Sequence, residues 1–286
     1  MAGQGEVRKP AVAGTFYRGT RDALTKEIEE CYLSRLGPGA LPIVADDGPR
    51  EVVGLVSPHA GYVYSGPTAA VGYARLARDG RPEVMVVIGP SHRPFLNKPA
   101  AIQVSGGWET PLGVAKIASD VAAKIRDGYA DFGEGEDYFF DEHSVEVQVP
   151  FLQHLYGDGL SFVPVLMVTQ SADVAASVGK AVAAGLEGRN AVIVASTDFS
   201  HYVSHTQARQ QDEALLERIV AMDPEGLMAM AQEPRMSMCG YGAVAAMMHA
   251  ATALGATRAE VLGYSNSGMV EPMQRVVGYA SAAVLR

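Results

Sequence analysis

Three short stretches put imidazole, carboxylate and hydroxyl groups straight after runs of small and β-branched apolar residues. They are SPHAGYVYSG with His59, GPSHRP with His92, and STDFSHY with Asp198 and His201. A fourth, MCGYGA, sets Cys239 ahead of a run of small residues. Neutral imidazole and thiolate suit a borderline or transition metal. His59, His92 and Cys239 could therefore hold Fe(II), Zn(II) or copper and leave one position open for water or substrate. Calcium or magnesium would call for an oxygen-rich set. A cysteine at a helix start would also be biased toward its thiolate by unpaired backbone N–H groups. Each residue has a plainer reading as well: His59 and His92 as turn or cap histidines, Cys239 as a packed thiol.

Asp198 and His201 stand three residues apart, so on a first helical turn they would share a side. There His201 could move a proton while Asp198 holds its tautomer or contacts a metal-bound water; otherwise Asp198 is an N-cap and His201 a solvated neighbour. His143, between Glu142 and Glu146, is a further pocket candidate whose pKa those carboxylates would raise at close range. His154, His205 and His249 have ordinary contexts. Phe16, Tyr17, Tyr62, Tyr64 and Trp108 could wall a pocket for a small aromatic substrate, although most aromatics serve core packing.

These groups need a scaffold that brings distant loops together. EVVGLV, EVMVVI, LSFVPVLMV and NAVIVA read as buried strands, and GPTAAVGYARLARDG between the first two predicts a βαβ unit with parallel strands. Helices are expected over 20–36, over VAKIASDVAAKI, from near Asp141 or Glu142 onward, over SADVAASVGKAVAAGLEG, from about Thr206 to Met222, from about Pro224 to Met230, and after Cys239. AAIQVSGGWETPLG reads as an extended ribbon, and EVLGYSNSG and RVVGYASAAVL as closing strands. No compositional break or repeat divides the chain, so one three-layer α/β domain with a mostly parallel or mixed sheet is expected over 1–286. In such sheets, ligands bind beyond the strand C-termini.

The 286 residues carry a net charge of −9 with 48% hydrophobic composition. An acidic chain without a basic patch disfavours nucleic acid. The opening residues lack a secretory h-region and no stretch is long enough to span a membrane, so a cytoplasmic protein is expected. The two cysteines, Cys31 and Cys239, read as free thiols, Cys31 as a packed one. Neither a complete phosphate loop nor a dinucleotide fingerprint is present. The oligomeric state has no signal in the sequence.

Taken together and in this order, AVAGTFY, SPHAGYVYSG, GPSHRP, DEHSVEVQVPFL, STDFSHY and MCGYGA give the chain a resemblance to the MEMO family of Memo-like proteins, whose microbial members are called protein B of the AmmeMemoRadiSam system. The resemblance implies a fold related to class III extradiol dioxygenases, which are non-haem Fe(II) enzymes. It also implies metal-ligand roles for His59, His92 and Cys239 and pocket roles for His201, Asp198 and His143. A eukaryotic relative is described both as a phosphotyrosine-peptide-binding motility mediator and as a metal-dependent redox protein. An iron-dependent oxidoreductase is the first expectation. A metal-binding or phosphotyrosine-binding adaptor, with Arg93 as a phosphate contact, and a metal-dependent hydrolase are the alternatives. Cys239 departs from the two-histidine, one-carboxylate set of the dioxygenases, and a thiolate is itself oxidisable.

Overall fold

The computed structural model describes residues 6–93 and 96–286. Residues 1–5, part of the opening stretch expected to lack secretory character, and Pro94 of GPSHRP lie outside them. The strands are β1 (Val7–Arg8), β2 (Val52–Ser57), β3 (Val84–Pro90), β4 (Ala100–Ile102), β5 (Gly107–Thr110), β6 (Gly113–Ile117), β7 (Phe132–Glu134), β8 (Ser161–Met167), β9 (Ala191–Ser196), β10 (His201–Val203), β11 (Arg258–Asn266) and β12 (Val276–Leu285). The helices are α1 (Arg21–Leu33), α2 (Tyr62–Asp79), α3 (Ser119–Asp127), α4 (Val149–Tyr156), α5 (Ala172–Leu186), α6 (His205–Val220), α7 (Pro224–Ala231), α8 (Tyr241–Ala253) and the short α9 (Ser267–Val270).

The strands form one continuous mixed sheet in the order β1-β5-β6-β8-β3-β9-β2-β12-β10, with β11 on β12, β4 on β8 and β7 on β4. Its centre, β8-β3-β9-β2, is parallel, whereas β12 runs antiparallel to β2. The central strands read as continuous apolar runs because both faces are covered. Gly54 abuts Met247 of α8, while its neighbour Leu55 packs against Gly72 of α2, so the two helices lie on opposite faces of β2. Helices α1 and α4 join α2 on one face, and α5, α3 and α7 build the other with α8. Each fully buried Val, Leu or Ile of this interior contributes about 1.5–3 kcal/mol, an upper figure because the unfolded chain is not fully extended.

The expected parallel relation of β2 and β3 holds, with β9 inserted between them. The β2-to-β3 crossover runs through α2 and the β8-to-β9 crossover through α5, on opposite faces. Connections that part in this way open a crevice beyond the C-termini of β3, β9 and β2.

Two helix expectations are corrected. VAKI belongs to β6: its side chains alternate between exposed and buried, and it pairs antiparallel with β5 across a turn at Gly113, where φ is +124°, before the chain enters α3. The segment after Asp141 is not helical at once. Asp141 has a left-handed φ of 54°, and the Glu142 carboxylate accepts the amide N–H groups of His143 and Ser144 at 2.8 Å each. A 3-10 turn over Glu146–Gln148 follows and α4 begins at Val149, with Pro150 in its first turn, where proline is tolerated.

Candidate metal centre

His59 lies in the loop between β2 and α2, and His92 follows β3 directly. Asp198 follows β9, and Thr197 N–H donates to Ser57 O at 2.9 Å, so the ends of β9 and β2 stay in register as they leave the sheet. Cys239 lies two residues before α8, held against the end of β9 by a close backbone approach at Gly240, where an added Cβ would meet Ser196 O at 2.4 Å. One nitrogen from each of His59 and His92 and the Cys239 sulfur lie within 4.8 Å of one another.

Hydrogen bonding decides which nitrogen each imidazole offers. The Ser196 hydroxyl donates to Ser144 O at 2.6 Å and accepts from Gln148 Nε2 at 2.8 Å. The Gln148 amide is itself oriented by Pro58 O and by the Tyr73 hydroxyl. With its one proton committed, Ser196 Oγ can only accept from His59 Nδ1, 2.9 Å away. His59 is therefore the Nδ1–H tautomer, and its Nε2 lone pair faces Cys239 Sγ at 3.2 Å. At His92, Nδ1 donates to Glu142 Oε1 at 3.0 Å, again leaving Nε2 free. Two imidazole lone pairs beside a sulfur make a donor set that suits a transition metal. Nδ1–H bonds to oxygen are the usual way proteins orient such ligands.

Burial pulls the His59 pKa well down, helped by the charges of His143, His92 and His201. Burial likewise raises the Cys239 thiol, with Asp198 adding to the effect. This runs against the expected thiolate bias at a helix start: the sulfur stands before α8, and desolvation outweighs the amide of Asp198, which donates to Sγ at 3.2 Å. Both shifts run away from the thiolate–imidazolium pair of a cysteine nucleophile.

His143 stacks on His92 with ring centroids 4.5 Å apart and lies 5.4 Å from His59 and 4.8 Å from Phe16. Burial lowers its pKa despite the neighbouring carboxylates, contrary to the expected rise. His201 and Asp198 do not share a helical turn; Asp198 is in a loop and His201 opens β10. The tautomer of His201 is held by Ser237 O, which accepts from Nδ1 at 2.8 Å, and not by Asp198. The Asp198 carboxylate instead accepts the His59 amide at 2.8 Å. Burial raises Asp198 to about 6, opposed by that bond and by the charge of His201.

The expected aromatic wall reduces to Phe16. Trp108 is a core residue that donates to Gln103 and packs under Arg8. Tyr17 donates to Glu146, Tyr62 to Val147 O, and Tyr64 to Glu271 on the surface. Arg93 donates to Asp137 O at 2.6 Å and lies over Phe140. Cys31 is buried among α1 and α2 residues, its thiol pushed up to about 12 by desolvation and by Glu27 and Glu30. Sequence reading passed over Ser196, Gln148 and Ser237 and gave Glu142 no more than a flanking charge. Only the DEH run, a carboxylate directly beside a histidine, signalled any of them.

An α/β protein with histidine and cysteine donors at the ends of parallel strands is the class these features define. The description Memo-like protein matches residues 8–283, and the chain belongs to that family. It is 43% identical over 282 residues to a MEMO1 family protein of Methanopyrus kandleri, covering 98% of this chain and 99% of that one. It is 43% identical over 279 residues to one of Methanothermobacter thermautotrophicus, covering 96% and 99%. A crystal structure of an uncharacterized protein from Escherichia coli K12 shares the fold, with a TM-score of 0.51 at 14% identity over 82% of this chain and 99% of that one.

Proposed function

We propose that the chain is a metal-dependent oxidoreductase of the cytoplasm. His59 Nε2, His92 Nε2 and Cys239 Sγ would hold one ion, Fe(II) before copper or zinc. The observation that carries this reading is the pair of locked tautomers: both imidazoles spend Nδ1–H on oxygen acceptors and leave Nε2 beside the same sulfur. When bound, iron would supply one-electron redox chemistry that the side chains lack. A small molecule, aromatic ones included, is the proposed substrate class, with Phe16 and the His143 ring as its apolar edge.

The chain's own residues supply the rest. Ser237 O holds the Nδ1–H of His201 and so leaves Nε2 able to accept a proton from a substrate hydroxyl. Asp198 fixes the His59 backbone through its amide, and Ser196 fixes the ring. Anaerobic purification with elemental analysis tests the metal: about one iron per chain in the wild type and about a tenth of that or less in Cys239→Ala is the expected result. Absence of metal after anaerobic reconstitution of the wild type, or full occupancy in the variant, overturns the assignment.

A further inference from the structure

We propose that Glu142 is a positioning residue of the centre: its carboxylate selects the tautomer of His92 and makes that ring the stronger of the two imidazole donors, a role that rests on the metal reading above.

The carboxylate is buried, with 1% of the residue exposed. Oε1 accepts from His92 Nδ1 at 3.0 Å and from the amides of His143 and Ser144 at 2.8 Å, while Oε2 accepts the His92 amide at 2.5 Å. Three of the four donors converge on Oε1, which leaves that oxygen nothing to offer an ion, while Oε2 keeps one lone-pair site. The crowding at Oε1 weighs on two uses of one cluster. His92, Glu142 and His143 have donor atoms within 4.8 Å of one another and could on proximity alone form a second metal site. Binding through Oε1 would strip the His143 and Ser144 amides of their acceptor in a buried place. The cluster is better read as support for His92, whose backbone and ring it holds together.

The second imidazole lacks such a partner. His59 Nδ1 donates to the neutral hydroxyl of Ser196, which shares its lone pairs with Gln148. A carboxylate draws the Nδ1 proton more strongly than a hydroxyl does and so leaves more electron density at Nε2. The two rings, 5.3 Å apart and nearly perpendicular, are thereby unequal ligands. His92, whose side chain stays 38% exposed, is the more basic and more accessible one. The same carboxylate holds the His143 amide, so the stacked ring depends on it too.

The test pairs a metal-free measurement with a metal-binding one. Long-range proton–nitrogen NMR of the apo protein at alkaline pH, where the rings are neutral, reads each tautomer directly; His92 is expected as the Nδ1–H form, and a neutral Nε2–H form in the wild type overturns the proposal whether or not any variant folds. In Glu142→Gln, His92 is expected to become a tautomer mixture with His59 unchanged; in Ser196→Ala the converse is expected. Titration with Co(II), read by its thiolate-to-metal charge-transfer absorption, should show affinity weakened by about 10- to 100-fold in Glu142→Gln with the band retained at saturation. Affinity within twofold of the wild type sinks the positioning role alone. No thiolate band in the wild type sinks the metal reading, and the NMR result then decides the tautomer role by itself.

Discussion

Glu142 and Glu146 stand four residues apart on one connecting segment, the second opening its 3-10 turn; they are equally buried at 1% exposure and each accept four hydrogen bonds, yet they serve different parts of the molecule. Glu146 takes Arg8 Nη1 at 2.6 Å, the Tyr17 hydroxyl at 2.7 Å and the amides of Ala11 and Val12, so it fastens the N-terminal arm to the sheet. Arg8 makes three further bonds, two to Phe139 O and one to Glu142 O, and lies over Trp108. Glu142 takes an imidazole that keeps one lone pair and partial exposure. Burial would raise the Glu142 carboxyl, but His92 and the amides hold it down at about 2. On the proposed reading, a buried carboxylate serves stability when its cation is used up and serves chemistry when its partner keeps a free valence. Asp212 is a third case, since its listeners are neutral: the Ser200 amide and hydroxyl and the Tyr264 hydroxyl, at 2.8–3.0 Å. Without a bound cation, burial dominates and raises it to about 6.

Breaking the clasp should have the largest effect. Glu146→Ala leaves the Arg8 guanidinium buried without its charge partner and should cost about 3–5 kcal/mol in urea unfolding. Metal content per folded chain should stay at the wild-type value. A loss under about 1 kcal/mol, or metal loss matching that of Cys239→Ala, would erase the distinction between the two glutamates.

Asp212 sharpens the comparison through pH. Its folded pKa is about 6, above the unfolded value near 3.9, so its protonated form favours the folded state. That contribution is complete below about pH 4 and is lost as pH rises through about 6, by up to about 3 kcal/mol. The stability of wild type relative to Asp212→Asn should therefore fall between pH 4 and 7, as followed by denaturation at each pH. A difference that is flat across this window would show that Asp212 titrates normally.

The smallest effect is expected at a carboxylate on the surface. Tyr64 donates to Glu271 at 3.2 Å in solvent, and Tyr64→Phe should leave both the thermal melt and the metal content unchanged. A lowered metal content there would restore Tyr64 to the pocket wall.

The strand runs and their polar ends were legible because a strand buried on both faces is written as continuous Val, Ile, Leu and Ala, and the break to Ser-Pro-His or Ser-Thr-Asp is abrupt. The i, i+3 pairing of Asp198 and His201 misled because spacing carries meaning only once the backbone is helical. Here Tyr202 has a left-handed φ of 58° and the chain forms β10 instead. VAKI misled for a related reason: four residues suit a helix or a strand alike, and pairing with β5 across Gly113 settles the choice.

By itself the sequence determined the family and the α/β class and singled out His59, His92 and Cys239 as candidate donors, since each of these resides in local composition and in the order of short motifs. The tertiary structure decided what those residues present. The Nδ1–H of His59 is set by Ser196, 137 positions away, that of His92 by Glu142, 50 away, and that of His201 by Ser237, 36 away. A proton's position on an imidazole depends on the acceptor that folding brings within about 3 Å, and no spacing along the chain encodes that distance.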